Sequence, residues 1–174
     1  MFPKAHAAAY TIASLRLSWF KVYHPVAYYA TYFTIKRDFF DGELVMKGKN
    51  KIEERLKMLR SAPNLTAKDE GSIIILRIVL EMLARGFSFL PVEIGKSEAT
   101  AFVPENNKIR LPLCSLNGLG VSVGEKIAEV VKSGEATTVE EVRVKAQVNK
   151  SIMDLLQKNN CFGAMPESDQ QTLF

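Results

Sequence analysis

Cysteine, histidine and tryptophan are scarce in this sequence of 174 residues, which contains two, two and one of them. Cys114 and Cys161 are far apart, form no Cys-x-x-Cys pair and have no histidine pair at ligand spacing. This argues against a disulfide scaffold and against a zinc site. Because unpaired cysteines suit a reducing compartment, we expect a cytoplasmic protein without a metal site of its own.

Long apolar runs are also missing. The most apolar region, residues 7–34, is interrupted by Arg16, Lys21 and His24-Pro25, so it is a poor membrane span. The first residues lack the basic stretch followed by an apolar run that a signal peptide needs. We therefore expect no membrane partner and no signal peptide.

Acidic residues are few in the first third of the chain. Residues 1–60 carry eleven Lys and Arg against five Asp and Glu, whereas residues 61–112 have six of each and residues 113–174 have six against eight. An anionic partner would be steered towards the first third. A solvated basic face without any partner explains the charge slightly better when charge is considered alone.

Helical periodicity dominates what is present, so the predicted fold is mainly α with a small β-hairpin. Gly86 is placed as the C-cap of one helix, and His24-Pro25 should break another. The predicted helices cover residues 5–32 with that break, 48–60, 69–86, 124–132, 138–147 and 150–159, and the hairpin lies within residues 89–111.

A glycine turn precedes an amphipathic stretch in the last third of the chain. Gly118 and Gly120 flank Leu119, and Ile127 and Val131 follow at helical spacing. Two glycines around one apolar residue let the backbone turn tightly and approach another surface closely. The turn presents free N–H groups at a helix start, where the helix dipole is also positive, and such an arrangement binds a phosphate without reading a base.

This turn resembles the helix-hairpin-helix motif of DNA-binding proteins that do not read sequence. Gly124 stands where that motif usually has alanine, so looser packing of the helices is expected. A plain connection between helices with a glycine C-cap is the alternative, and a Rossmann fingerprint is excluded by the glycine offsets and the missing buried strand. The resemblance implies DNA binding by Gly118, Leu119, Gly120, Ser122 and Lys126.

A second helical pair is predicted between Thr138 and Ser151. Thr138 can cap a helix whose first turn contains Glu140 and Glu141, and residues 148–151 turn into the next helix. Because this half lacks the glycines, we expect it to be the structural mate of the first hairpin and not a second DNA contact.

The chain ends in the sequence Gln170-Gln171-Thr172-Leu173-Phe174. Large apolar residues on a flexible tail usually have a receiving pocket elsewhere, and a glutamine can fix the register by donating and accepting. The pentapeptide resembles the bacterial sliding-clamp-binding motif of Gln, any residue, Ser or Asp, Leu and Phe. Thr172 in place of Ser or Asp is a mild departure, and Gln171 stands where leucine is frequent, so reduced affinity is expected. Taken alone, a tail that folds back onto its own core explains these residues better.

A string near the N-terminus contains Lys4, His6 and Tyr10. This string, residues 20–30, residues 85–89, the glycine turn and the terminal pentapeptide together resemble, in the same order, the alpha subunits of bacterial DNA polymerase III of the PolC type. The resemblance covers essentially the whole chain. Several weak motifs in one family's order are far more specific than any one of them.

The resemblance implies a helical fingers-like segment in residues 1–86, a duplex-DNA-binding domain in residues 87–164 and a flexible clamp-binding tail in residues 165–174. It implies that Lys4, His6 and Tyr10 bind the nucleotide when the palm domain is present, with Lys4 and His6 at its phosphates. The implied partners are duplex DNA, the bacterial sliding clamp and the remaining polymerase domains. The implied clamp-binding residues are Gln170, Thr172, Leu173 and Phe174.

The catalytic aspartates of that family have no counterpart in this chain, because it contains no Asp-x-Asp. The magnesium chemistry implied for the intact polymerase is therefore not expected here, and we expect no cofactor in this chain. The predicted function is a non-catalytic portion of a replicative polymerase, arising as a truncated frame, a split gene or a fragment. A stand-alone adaptor that tethers a partner to the clamp and a purely structural helical module are the alternatives. An upstream frame that encodes the palm would exclude the adaptor.

Overall fold

The structure is a computed structural model, and it describes residues 3–168. Helices dominate this part of the chain, and a small sheet accompanies them. This confirms the predicted fold class. The helices are α1 (Lys4–Tyr23), α2 (Pro25–Ile35), α3 (Gly42–Met46), α4 (Lys49–Ser61), α5 (Ala67–Ala84), α6 (Val121–Lys132), α7 (Val139–Lys145) and α8 (Lys150–Lys158). The strands are β1 (Ser88–Leu90), β2 (Val103–Glu105) and β3 (Lys108–Arg110), and 3-10 helices cover Arg37–Phe39 and Leu113–Ser115.

The predicted break between the first two helices is confirmed. α1 ends at Tyr23 and α2 begins at Pro25, since proline lacks an N–H donor and restricts the residue before it. Lys21 Nζ donates to Glu81 Oε2 at 2.8 Å, and the Arg85 guanidinium donates to the Lys21 carbonyl at 3.1 Å. These contacts attach the end of α1 to α5. None of the helices within residues 3–168 is both long and apolar enough to cross a membrane.

Helices α4 and α5 pack against each other and form the core of the first half. Ile52, Leu56 and Leu59 of α4 are buried, as their spacing predicts. α5 starts at Ala67, two residues before the predicted Asp69, because Thr66 and Asp69 form a capping box. The glycine at position 86 follows the helix with a φ of +85°, which confirms its predicted place at the C-terminal end.

The sheet has three strands in the order β1-β3-β2. β2 and β3 form the predicted hairpin, and Asn106 turns it with a φ of +54°. β1 pairs with β3 in parallel, with Phe89 opposite Ile109, and the sequence did not indicate this third strand. A strand of three residues is too short for its side-chain alternation to reveal a partner.

An aromatic cluster joins the helices to the sheet. Phe33 of α2 is fully buried, and its ring centroid lies 5.2, 5.6 and 5.7 Å from those of Phe40, Phe89 and Phe102. These rings come from both sides of the predicted boundary at residues 86 and 87. The boundary itself stays a prediction.

The last helices carry the predicted capping signal and part of the predicted tail. Thr138 and Glu141 form a capping box at the start of α7. Hydrogen bonds from Thr137 and from Lys145 lower the pKa of Glu141 to about 2. The N–H of Val139 donates to the Pro166 carbonyl at 2.9 Å, so the first residues of the predicted tail lie against α7. The predicted clamp-binding residues lie outside the described residues, and they are Gln170, Thr172, Leu173 and Phe174.

Candidate nucleic-acid interface

The glycine turn connects the 3-10 helix Leu113–Ser115 to α6. Gly118 has a φ of +99°, a conformation that favours glycine. Leu119 is buried, and its N–H donates to the Leu116 carbonyl at 3.1 Å. Gly120 is the residue before α6. The helix before the hairpin is thus reduced to a single 3-10 turn, which the glycine pattern alone did not show.

Helix α6 begins without a capping side chain. By contrast, Thr138 and Asn149 each accept a backbone N–H at the starts of α7 and α8. The N–H groups of Val121, Ser122 and Val123 therefore have no acceptor within residues 3–168. Because they lie at the positive end of a helix of twelve residues, this start is open to an anion.

Gly120 is not explained by packing within residues 3–168. A Cβ atom built at this position would meet no atom of these residues within 4 Å, and the φ of −70° suits any residue. Gly118 differs, because its positive φ is the reason for glycine there. The close approach of a group from outside the chain is a physical reason for glycine at position 120.

Gly124 occupies the position where the motif usually has alanine. It is buried, and a Cβ atom there would lie 3.2 Å from Leu119 Cδ2 and 3.5 Å from Leu113 Cβ. The absent methyl group thus lets α6 pack closely against the turn. The looser packing expected from the sequence is not found.

Ser122 and Lys126 are exposed on the first two turns of α6. Residues four apart on a helix lie on the same face. The structure therefore places a hydroxyl group and an ammonium group on one face next to the open helix start.

The turn is attached to α3 by contacts that sequence reasoning missed. Asn117 Nδ2 donates to Asp41 Oδ1 at 3.1 Å, and the same oxygen accepts the N–H of Leu44 at 2.9 Å to cap α3. A Cβ atom on Gly42 would lie 2.7 Å from Ser115 Oγ, so α3 approaches the 3-10 helix very closely. Asp41 before Gly42 could have indicated a helix start. Its contact with Asn117, 76 positions away, has no signal in the sequence.

The turn between α7 and α8 repeats the backbone of the glycine turn without glycine. Gln147 has a φ of +53°, Val148 is buried and Asn149 precedes α8. The Asn149 side chain accepts the N–H of Ile152 at 2.9 Å, so this helix start is closed. The closed start agrees with the predicted role of a structural mate, and that role stays a prediction.

Lys4, His6 and Tyr10 are exposed on the first two turns of α1. The ring centroids of His6 and Tyr10 are 4.4 Å apart. Their predicted nucleotide contact stays a prediction. Within residues 3–168 no three His, Cys, Asp or Glu side chains are grouped so that they could hold a metal ion.

Helix α1 exposes an apolar face. Ile12, Leu15, Trp19 and Val22 follow one another at intervals of three and four residues, so they lie on one side of the helix. Their exposed fractions are 52, 65, 48 and 62%. Residues 3–168 therefore do not cover this apolar face. Contiguous exposed apolar surfaces usually contact another protein surface.

A glycine turn, an uncapped helix and a second turn of the same backbone shape define a helix-hairpin-helix module. The chain belongs to the family of the helix-hairpin-helix motif, which matches residues 86–172.

The whole chain is similar to DNA polymerase III of the PolC type. It is 43% identical over 174 residues to the protein of Thermotoga maritima and 41% identical over 175 residues to that of Clostridium perfringens. It is 36% identical over 176 residues to that of Bacillus subtilis. Each similarity covers all of this chain but only 13, 12 and 12% of the respective relative. The resemblance predicted from the order of the motifs is confirmed.

Proposed function

We propose that this chain is a non-catalytic part of a PolC-type replicative polymerase that binds primer–template duplex DNA through the glycine turn and α6. The observation that carries the proposal is the uncapped start of α6, next to a glycine that the chain's own packing does not require. The similarity to PolC-type polymerases and the helix-hairpin-helix match support DNA as the partner.

A backbone phosphate is the ligand that this arrangement fits. Its oxygens would accept the N–H groups of Val121, Ser122 and Val123, and the lack of a side chain at Gly120 lets the phosphate come close. Lys126 adds a positive charge one turn further along α6. None of these groups reads a base edge, so binding should be independent of sequence.

Salt dependence tests the proposal. Fluorescence anisotropy measures the affinity for a labelled duplex of about 25 base pairs. We expect the logarithm of this affinity to fall linearly with the logarithm of the salt concentration. The slope should be about −3 or steeper, because each neutralised phosphate contributes about −0.9. Two duplexes of unrelated sequence should bind within about threefold of each other. A flat salt response, or a strong preference for one sequence, would contradict the proposal.

We also propose that Gln170, Thr172, Leu173 and Phe174 bind the sliding clamp. Support comes from the motif in the sequence, since two apolar anchors and a register-fixing glutamine are the elements such a peptide needs.

Deleting residues 170–174 is expected to weaken the affinity for an immobilised bacterial clamp by at least about a hundredfold, because anchor residues contribute about 2 kcal/mol or more each. Surface plasmon resonance measures this. Gln171→Ala is the matched control, since its position in the motif accepts any residue, and duplex affinity should stay unchanged in both variants. Equal clamp binding by the shortened chain would favour a purely structural helical module.

We further propose that the apolar face of α1 packs against the remaining polymerase domains. The chain spans about an eighth of its PolC-type relatives, so those relatives have ample polypeptide to cover this face. The same contact would bring Lys4, His6 and Tyr10 on the first turns of α1 to the nucleotide, with Lys4 and His6 at its phosphates.

A further inference from the structure

A groove of about 520 Å³ lies beside the glycine turn. Residues 117–121 form one wall. The opposite wall comes from the helical first half of the chain, which supplies the 3-10 helix Arg37–Phe39, Arg55 of α4 and the start of α5. The groove therefore opens directly from the proposed phosphate site into the part of the chain with the largest excess of positive charge.

Three basic side chains line this groove, namely Arg37, Arg55 and Lys68. Arg55 and Lys68 are exposed, and neither forms an ion pair within residues 3–168. The Nε atom of Arg37 is buried without a hydrogen-bond acceptor in the same part of the chain. Its nearest carboxylate oxygen, on Asp38, is 4.0 Å away. Arg37 Nη1 donates to the Thr34 carbonyl at 3.3 Å. Arg55 and Lys68 are thus the cationic groups of the groove that form no ion pair within residues 3–168.

Three carboxylates also line the groove, and two of them have structural tasks. Asp41 caps α3 and holds Asn117, and Asp69 caps α5 through the backbone and hydroxyl groups of Thr66. The positive ends of the two helices offset part of these charges. The third, Asp38, has an 83% exposed side chain. On the wall opposite the glycine turn, the charges that take part in neither a helix cap nor an ion pair within residues 3–168 are therefore mainly those of Arg55 and Lys68.

Arg55 and Lys68 line the same groove as Asp69. Hydrogen bonds from Thr66 lower the pKa of Asp69, and the charges of Arg55 and Lys68 lower it further. Both cations therefore act on the same point at the edge of the groove. A polyanion that follows the groove would meet them together.

Resting on the proposed duplex binding, we propose that this groove holds the backbone of the DNA strand next to the phosphate at the glycine turn, with Arg37, Arg55 and Lys68 as phosphate contacts. A strand bound at Gly120 has to continue beyond the turn, and the groove is the path that the turn itself borders. Phosphate contacts of this kind fix the register and orientation of the duplex without reading sequence. The proposal makes the DNA surface continuous across the helical first half and the helix-hairpin-helix module.

The double variant Arg55→Gln/Lys68→Gln tests this, because both side chains are exposed and form no ion pair with another described residue. We expect about tenfold weaker duplex binding at 0.1 M salt and a salt slope smaller in magnitude by about two, since each lost phosphate contact removes about one. Lys57→Gln/Arg60→Gln is the matched control, which removes the same charge from α4 away from the groove. The control should stay within about twofold of the unchanged chain.

Further variants separate the groove from the hairpin. Arg55→Lys/Lys68→Arg keeps both charges and should retain the original salt slope, and circular dichroism should show unchanged folding throughout. If the groove variant binds like its control while Gly120→Asp loses binding, the groove proposal is overturned and the hairpin stands. Equal losses in the groove variant and its control would also overturn it, because they indicate unspecific charge. If the unchanged chain shows no salt-dependent duplex binding, the proposed function itself fails.

Discussion

Replacing Gly120 with aspartate is expected to weaken duplex binding by at least about a hundredfold while the chain stays folded. Aspartate is among the best residues before a helix, and its carboxylate would accept the N–H groups of Ser122 or Val123. It would also place a negative charge where the phosphate binds. Losing hydrogen bonds to a charged group, at about 1.5–3 kcal/mol each, accounts for this change in affinity.

The stability of the Gly120→Asp variant should not fall with its affinity. Glycine before a helix is only a few tenths of a kcal/mol worse than aspartate, so the free energy of unfolding should stay equal or rise slightly. Thermal unfolding followed by circular dichroism measures this, and fluorescence anisotropy measures binding. Gly120→Ser adds a neutral cap and should lose about tenfold in affinity.

Ser133→Asp is the charge control, since Ser133 is exposed at the far end of α6. It should bind duplex within about threefold of the unchanged chain. Gly118→Ala cannot separate an effect on binding from an effect on folding. The φ of +99° at this position makes any side chain strained, so both stability and binding would fall. A folded Gly120→Asp chain with unchanged affinity would show that the phosphate does not bind at the start of α6.

Replacing Leu15 and Trp19 with glutamate is expected to weaken association with the rest of a PolC-type polymerase by at least about a hundredfold. Burying a large apolar side chain contributes about 1.5–3 kcal/mol, so two of them account for this factor. The partner is the Thermotoga maritima polymerase without the segment that matches this chain, and surface plasmon resonance measures the affinity. Because neither side chain is buried in the described chain, the variant should fold normally.

Leu17→Glu is the matched control for the α1 face. Leu17 is 60% exposed but lies on the opposite side of α1, so its replacement should change the affinity by less than about threefold. Trp19 is the single tryptophan of the chain, so 5-fluorotryptophan gives one fluorine resonance. That resonance should shift and become protected from solvent when the partner is added. An unshifted resonance at saturating partner would show that this face is not the contact.

The parts of the fold that were predictable rest on local chemistry. Pro25 ends α1 because it lacks an N–H, Gly86 follows α5 because it adopts a positive φ, and Thr138 caps α7 through the residue three positions on. β1 was not predictable, because three residues carry no usable periodicity and its partner Lys108–Arg110 is remote in sequence. The 3-10 helix before the glycine turn escaped notice for the same reason of length.

The candidate site, like the fold, was predictable only in part. The glycine pattern, the order of the motifs and the positive first third determined by themselves the class of protein and the turn that is proposed to bind DNA. Only the tertiary structure separated Gly118, which the backbone requires, from Gly120, which it does not. The distinction depends on φ and on the free space around an absent side chain, and neither is written in residue identity. The structure also brought Arg55 and Lys68 to the turn, because contacts between distant segments are set by packing and have no local pattern.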